Sequence, residues 1–231
     1  MSSQGAAPVR RTPGGWTPVG TAASRRTAHE SNGTERGRAS RRKIVEAART
    51  VFERDGFFDA RIEDVVATAG VARGTFYTYF STKIDVLMVI AGEINESFSQ
   101  VADVDHTAIG SYPPEVAVPA YVERVLDTCR ENARVMEIID QVATTDDTVR
   151  AARRHARDLH IQVLTAAILD WQRADQVPAD LPASVTADAL VSMMEGYTRW
   201  WTPGEQPYDV VVSSLSAVCL RSLGVALRPH S

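Results

Sequence analysis

The chain has 231 residues, of which 44% are hydrophobic and 23% charged, enough apolar content for a sizeable core and too even a mixture for a wholly unfolded polymer. No stretch reaches the apolar length of a membrane span and the N-terminus lacks the apolar segment of a secretory signal, which points to the cytoplasm and away from membrane or export. The net charge of −4 is uneven: residues 1–90 hold 14 basic and 9 acidic residues, for +5, and the remainder holds 11 and 20, for −9, so a part attracted to polyanions precedes a part repelled by them.

Residues 1–38 are rich in Ser, Thr, Gly, Pro and Arg and have almost no apolar periodicity, which predicts a disordered arm. Its six arginines against two acids make it a candidate for DNA phosphates or a minor groove. From Ser40 the pattern becomes helical, with Ile44, Ala47, Ala48, Val51 and Phe52 on one face and Gly56 as the stop. A second, two-turn helix carries Ile62, Val65, Val66 and Ala69 and ends at Gly70, a residue free to adopt the left-handed conformation of a sharp turn. A third follows after "GVA". Two short helices so closely joined match the helix-turn-helix arrangement, whose second helix enters a DNA major groove.

In that third helix, within "GVARGTFYTYF", Phe76 and Phe80 fall four apart and face the core, while Gly74, Thr75 and Thr78 lie opposite. Tyr77 and Tyr79 flank the boundary, each able to offer a hydroxyl to a phosphate, and Arg73 in the first turn can reach guanine or the backbone. Burying this polar set would demand a partner for every group, whereas a groove supplies phosphates, bases and water. Gly74 removes a side chain where the helix would approach DNA.

The span from Arg41 to Leu87, with "IVEAARTVFERDGF", "IEDVVATAGV" and "GTFYTYFSTK" in that order, resembles the tetracycline-repressor (TetR) family of bacterial transcriptional regulators over about a fifth of the chain. The resemblance implies an all-α homodimer. An N-terminal three-helix helix-turn-helix domain, residues 39–84, is followed by a larger helical effector-binding and dimerisation domain, residues 85–228. It also implies DNA contacts at Arg73, Gly74, Thr75, Tyr77, Thr78, Tyr79 and Lys83. Lys83, one of only two lysines, stands beside Ser81 and Thr82 at a helix start and is expected to clamp a phosphate. Where many members carry Ser or Thr as helix caps this chain has Arg61 and Ala72, and Arg61 is expected to replace a lost hydroxyl contact by charge.

Beyond Thr82 a Thr-x-x-Asp start, Thr82 and Asp85, opens a helix to about residue 100, and a loop follows. Helical patterns then run over about 114–132, 133–143 and 145–174, with Pro178 and Pro182 as breaks, and over about 184–201 and 208–225. The last two carry broad apolar faces. Leu190, Val191, Met194, Trp201, Val211, Leu215, Val218 and Leu223 are expected to pair with their two-fold copies, as the resemblance implies. Tyr121, Met136, Ile139, Trp171, Met193, Tyr197 and Trp200 are candidates for a pocket accepting a small, largely apolar effector.

Catalytic and metal signals are weak. His155 and His160 stand five apart, about 140° around a helix, which is awkward for joint chelation, and no phosphate-binding glycine loop or nucleophile elbow occurs. Cys129 and Cys219 lie far apart in apolar patterns and are expected to be core thiols. The sequence therefore reads as a non-enzymatic, cofactor-free repressor of a palindromic operator, released by its effector. The alternatives are an activator or ligand-independent regulator and, from another class, a helical-bundle enzyme or carrier.

Overall fold

The computed structural model describes residues 35–99 and 106–226, and these form eight α-helices with no strand among them. In chain order they are α1 (Glu35–Asp55), α2 (Ile62–Ala69), α3 (Arg73–Tyr79), α4 (Lys83–Ser99), α5 (Pro114–Ala143), α6 (Asp147–Arg173), α7 (Ala183–Trp200) and α8 (Tyr208–Ser222). A 3-10 helix, His106–Ser111, precedes α5. The arm's first 34 residues lie outside the described part, whereas residues 35–38, assigned to the arm by composition, are the first turn of α1. The two patterns expected at 114–132 and 133–143 form one helix, α5, which tolerates Pro119 close to its start.

The helix ends are fixed by local chemistry. Gly70 closes α2 at φ 63°, and its N–H and that of Val71 return to the Ala67 and Val66 carbonyls. The Asp85 carboxylate accepts from the Ser81 and Thr82 amides at 2.8 and 2.9 Å while Thr82 Oγ1 accepts from the Asp85 amide, a reciprocal cap that starts α4. Asp146 caps α6 by accepting from the Thr148 and Val149 amides.

Two apolar cores form. The first joins α1–α4 to the end of α5 and the start of α6: Ile44, Val51, Phe52, Val65, Phe76, Leu87 and Ile90 bury against Val135, Ile138 and Val142. The expected domain boundary at 84/85 falls within continuous packing, because α4 supplies Val86, Leu87, Ile90 and Ile94 to the core of α1–α3. The second core lies among α5, α6, α7 and α8 around Leu126, Ile168, Trp171 and Leu223. A polar link also crosses between the parts: Arg49 of α1 donates to buried Asn132 of α5 and pairs with Glu53 at 3.1 Å.

Most residues expected at a dimer face are buried within this chain. Leu190, Val191 and Met194 of α7 turn inward onto α6, and Val211 and Leu215 of α8, with Leu223 just beyond it, turn inward onto α5. Of the expected set, Trp201 is half-buried and Val218 alone is exposed. The broad apolar faces are thus consumed within one subunit. What α7 turns outward is a different stripe, Val185, Ala189, Gly196 and Trp200, and α8 presents Val210, Ser214 and Val218.

Candidate nucleic-acid interface

A helix of seven residues has no independent stability, so α3 is held by what it packs on. Phe76 and Phe80 are almost fully buried, with ring centroids 5.8 Å apart, and Phe80 is capped by the Arg41 guanidinium at 5.4 Å. That anchoring leaves Arg73, Gly74, Tyr77 and Thr78 exposed, with Thr75 and Tyr79 half-buried at the margins. Thr78 Oγ1 donates to the Gly74 carbonyl at 3.1 Å, a bond that DNA can exchange without disturbing the helix ladder. A methyl group added at Gly74 would meet nothing within 4 Å, so no crowding inside the protein accounts for the glycine.

Arg73 is oriented from two sides. Its guanidinium pairs with Glu63 of α2 and lies 5.8 Å over the Tyr77 ring. Sequence reasoning missed Glu63, because the pair depends on how α2 crosses α3. Both partners are more than half exposed, so the link orients the arginine at little cost to break. Arg61, at the N-cap of α2, is exposed and makes no capping bond through its side chain.

Lys83 departs from expectation. Its ammonium donates to the Ala60 carbonyl at 2.6 Å, to Phe57 at 2.7 Å and to Phe58 at 3.3 Å, and sits 4.9 Å from the Phe57 ring centre. Burial lowers its pKa below the ordinary lysine value, an effect partly offset by Asp59. The amides beside it at the start of α4 already serve Asp85. Neither half of a phosphate clamp is free, so that expectation does not fit the geometry.

Five of the seven expected pocket residues, Tyr121, Met136, Trp171, Met193 and Tyr197, lie in or against the second core. Trp171 is 1% exposed and its indole N–H donates to the Tyr112 carbonyl at 2.8 Å, which makes it a satisfied core residue. Ile139 belongs to the first core, Met136 touches both, and Tyr121, Met193 and Tyr197 are half-buried against the second. Trp200 is 83% exposed. A separate open cleft of about 410 Å³ is bounded by Asp140, Arg150, Arg153, Arg154, Arg157 and Glu195, most of whose charges are already paired. Among the described residues no cluster of His, Cys, Asp or Glu could hold a metal ion, and no helix is long and apolar enough to cross a membrane. Cys129 and Cys219 are buried free thiols whose pKa burial pushes up to about 11.

Residues 44–88 match the family model "Bacterial regulatory proteins, tetR family", a span that holds α2 and α3 with the second half of α1 and the start of α4. The chain is similar to the HTH-type transcriptional regulator TtgR of Pseudomonas putida, 28% identical over 175 residues, covering 72% of this chain and 82% of that protein. The HTH-type transcriptional repressor BepR of Brucella suis is 25% identical over 75% of this chain and 85% of its own length. Among solved structures, Salmonella enterica GusR superposes with a TM-score of 0.67 at 17% identity over 84% of this chain and 99% of that one. A TetR-family regulator from Rhodococcus sp. gives 0.65 at 18%, over 80% and 98%; at such identities the likeness establishes the shared fold. Residues 44–88 thus carry the DNA-binding domain of the TetR family, and over 72–75% of its length the chain is similar to HTH-type transcriptional regulators.

Proposed function

We propose that this regulator is a repressor that binds a palindromic operator as a homodimer, with one α3 from each subunit in successive major grooves about 34 Å apart. The observation that carries the reading is the division of α3: two buried phenylalanines fix it, and Arg73, Gly74, Thr75, Tyr77 and Thr78 are left along the outward side. Thr75 and Thr78 meet base edges, Arg73 exchanges Glu63 for a phosphate or a guanine, Tyr77 and Tyr79 offer hydroxyls to phosphates, and Arg61 adds a sequence-independent charge.

The dimer forms through the outward stripes of α7 and α8. Val185, Ala189, Gly196 and Trp200 recur at intervals of four, seven and four, the spacing of one helix seam, and a methyl group at Gly196 would meet no described atom within 4 Å. An exposed helical glycine with no internal cause suits close approach by a second backbone. A small, largely apolar effector binds among α4–α7, near Tyr121, Met193 and Tyr197. Buried Asn95 Oδ1 and Trp201 Nε1, which have no hydrogen-bond partner among the described residues, suit an apolar molecule carrying a few polar groups. The Arg49–Asn132 link gives effector-induced shifts of α5 a route to α1, and a coupling of about 1–3 kcal/mol suffices for release.

The test is selection of duplexes from a random pool followed by footprinting. A protected palindrome whose half-sites lie one helical turn apart is expected; the absence of any preferred sequence would exclude the reading. Mass spectrometry of co-purified small molecules, then titration against the protein–DNA complex, checks release.

A further inference from the structure

An ammonium carries three hydrogens and no acceptor, and at Lys83 three carbonyl oxygens converge within 3.3 Å of the nitrogen. All three belong to the turn between α1 and α2, which Gly56 opens at φ 79°. Among the described residues no turn or cap bond of the backbone uses those oxygens, so the lysine satisfies acceptors that the turn leaves unpaired. The phenylalanine ring below the nitrogen adds a favourable face. Phe57 and Lys83 are 26 residues apart, and the intervening chain contains both α2 and α3. A single side chain therefore closes the helix-turn-helix unit at its base.

We propose that Lys83 is a positioning residue and not a phosphate contact: by stapling the first turn of α4 to the α1–α2 turn, it fixes where α3 stands and passes displacement of α4 to it. α4 is the element suited to this, since it packs on α1 as well as on α5 and α6. A phosphate would have to strip the ammonium from the turn and leave its carbonyls unpaired, while the neighbouring amides stay bound to Asp85. The role in DNA reading rests on the function proposed above; the staple itself does not.

Two experiments test it. In the wild-type protein, lysine acylation followed by mass spectrometry compares Lys83 with exposed Lys43, the chain's only other lysine. Lys83 is expected to react at least about tenfold more slowly, with or without DNA, because its nitrogen is enclosed by bonded carbonyls. Equal rates in the free protein, with protection of Lys83 only on adding duplex, would overturn the staple.

The second follows Lys83→Met and Lys83→Arg on two duplexes, one selected from a random pool by the wild type and one of mixed sequence, over a salt series. Both variants are expected to weaken the selected duplex about tenfold or more, and the mixed one less, with an unchanged salt slope. Arginine fails to rescue because a planar fork does not match three convergent carbonyls. A salt slope shallower by about 0.9 in Lys83→Met, or full rescue by arginine, would reinstate the phosphate contact. Equal losses on both duplexes, or none, would remove the positioning role. If the wild type prefers no duplex, the DNA reading fails, and the acylation rates still decide the staple.

Discussion

The outward faces of α3 and α7 are built from opposite chemistry on the same plan. Each helix buries one side, α3 through Phe76 and α7 through Leu190, Val191 and Met194. On the free side α3 shows an arginine, a tyrosine, threonine and glycine, whereas α7 shows a stripe of valine, alanine, glycine and tryptophan beside exposed Asp188, Ser192, Glu195 and Arg199. Polar groups whose partners are few or easily exchanged suit a polyanion, which supplies acceptors and water; an exposed apolar stripe suits another protein surface. Both faces also carry a helical glycine that nothing inside the chain requires, Gly74 on one and Gly196 on the other.

The largest effect should come from spoiling the apolar stripe. If the proposed dimer packs there, Trp200→Glu places a charge against the second subunit, and loss of an aromatic anchor of at least about 2 kcal/mol weakens the dimer about 30-fold or more. Sedimentation against concentration checks it, with helical content by circular dichroism expected to stay unchanged because Trp200 is exposed. An undisturbed dimer would show that the two faces do not differ in partner.

Next in size is loss of base discrimination. Thr75→Ala with Thr78→Ala should reduce the preference for a selected duplex over single-base variants by about 1–3 kcal/mol at one or two positions, while mixed-sequence affinity falls less. Competition binding reads the difference. Uniform weakening of all duplexes would make the threonines positional, not discriminating.

The glycines sharpen the comparison further. Gly74→Ala and Gly196→Ala should each add about 1 kcal/mol of helix propensity, since neither new methyl group meets an atom of its own chain. The costs should separate: Gly74→Ala weakens DNA binding and spares the dimer, and Gly196→Ala does the reverse. Thermal denaturation, duplex titration and sedimentation on the same two variants decide it.

The smallest expected change is at Arg61. Arg61→Ala should weaken every duplex alike and reduce the salt slope by about 0.9, as removal of one phosphate contact does. An unaltered slope assigns Arg61 to the solvated surface.

What the sequence determined by itself is the helical frame and which side of α3 stays outward. Polar residues have few places to go: the set around Phe76 and Phe80 could not be buried without partners, so its exposure and direction were readable from spacing. The reciprocal cap of Thr82 and Asp85 was readable for the same reason, as it spans only one helical turn. The tertiary structure decided the rest. Apolar residues can satisfy a neighbour in the same subunit as well as one in another, so periodicity could not tell whether Leu190 and Leu215 face α6 and α5 or a partner. Nor could it show that Trp171 is satisfied by the Tyr112 carbonyl, 59 residues away, while Trp200 stands in solvent. Lys83 and Glu63 belong to the same class. A lysine at a helix start reads as free until the turn 23 residues earlier folds back and presents its carbonyls, and only the crossing of α2 and α3 brings Glu63 to Arg73. Interactions that close within one or two turns are written in local spacing; those that depend on which distant segment arrives are settled by packing.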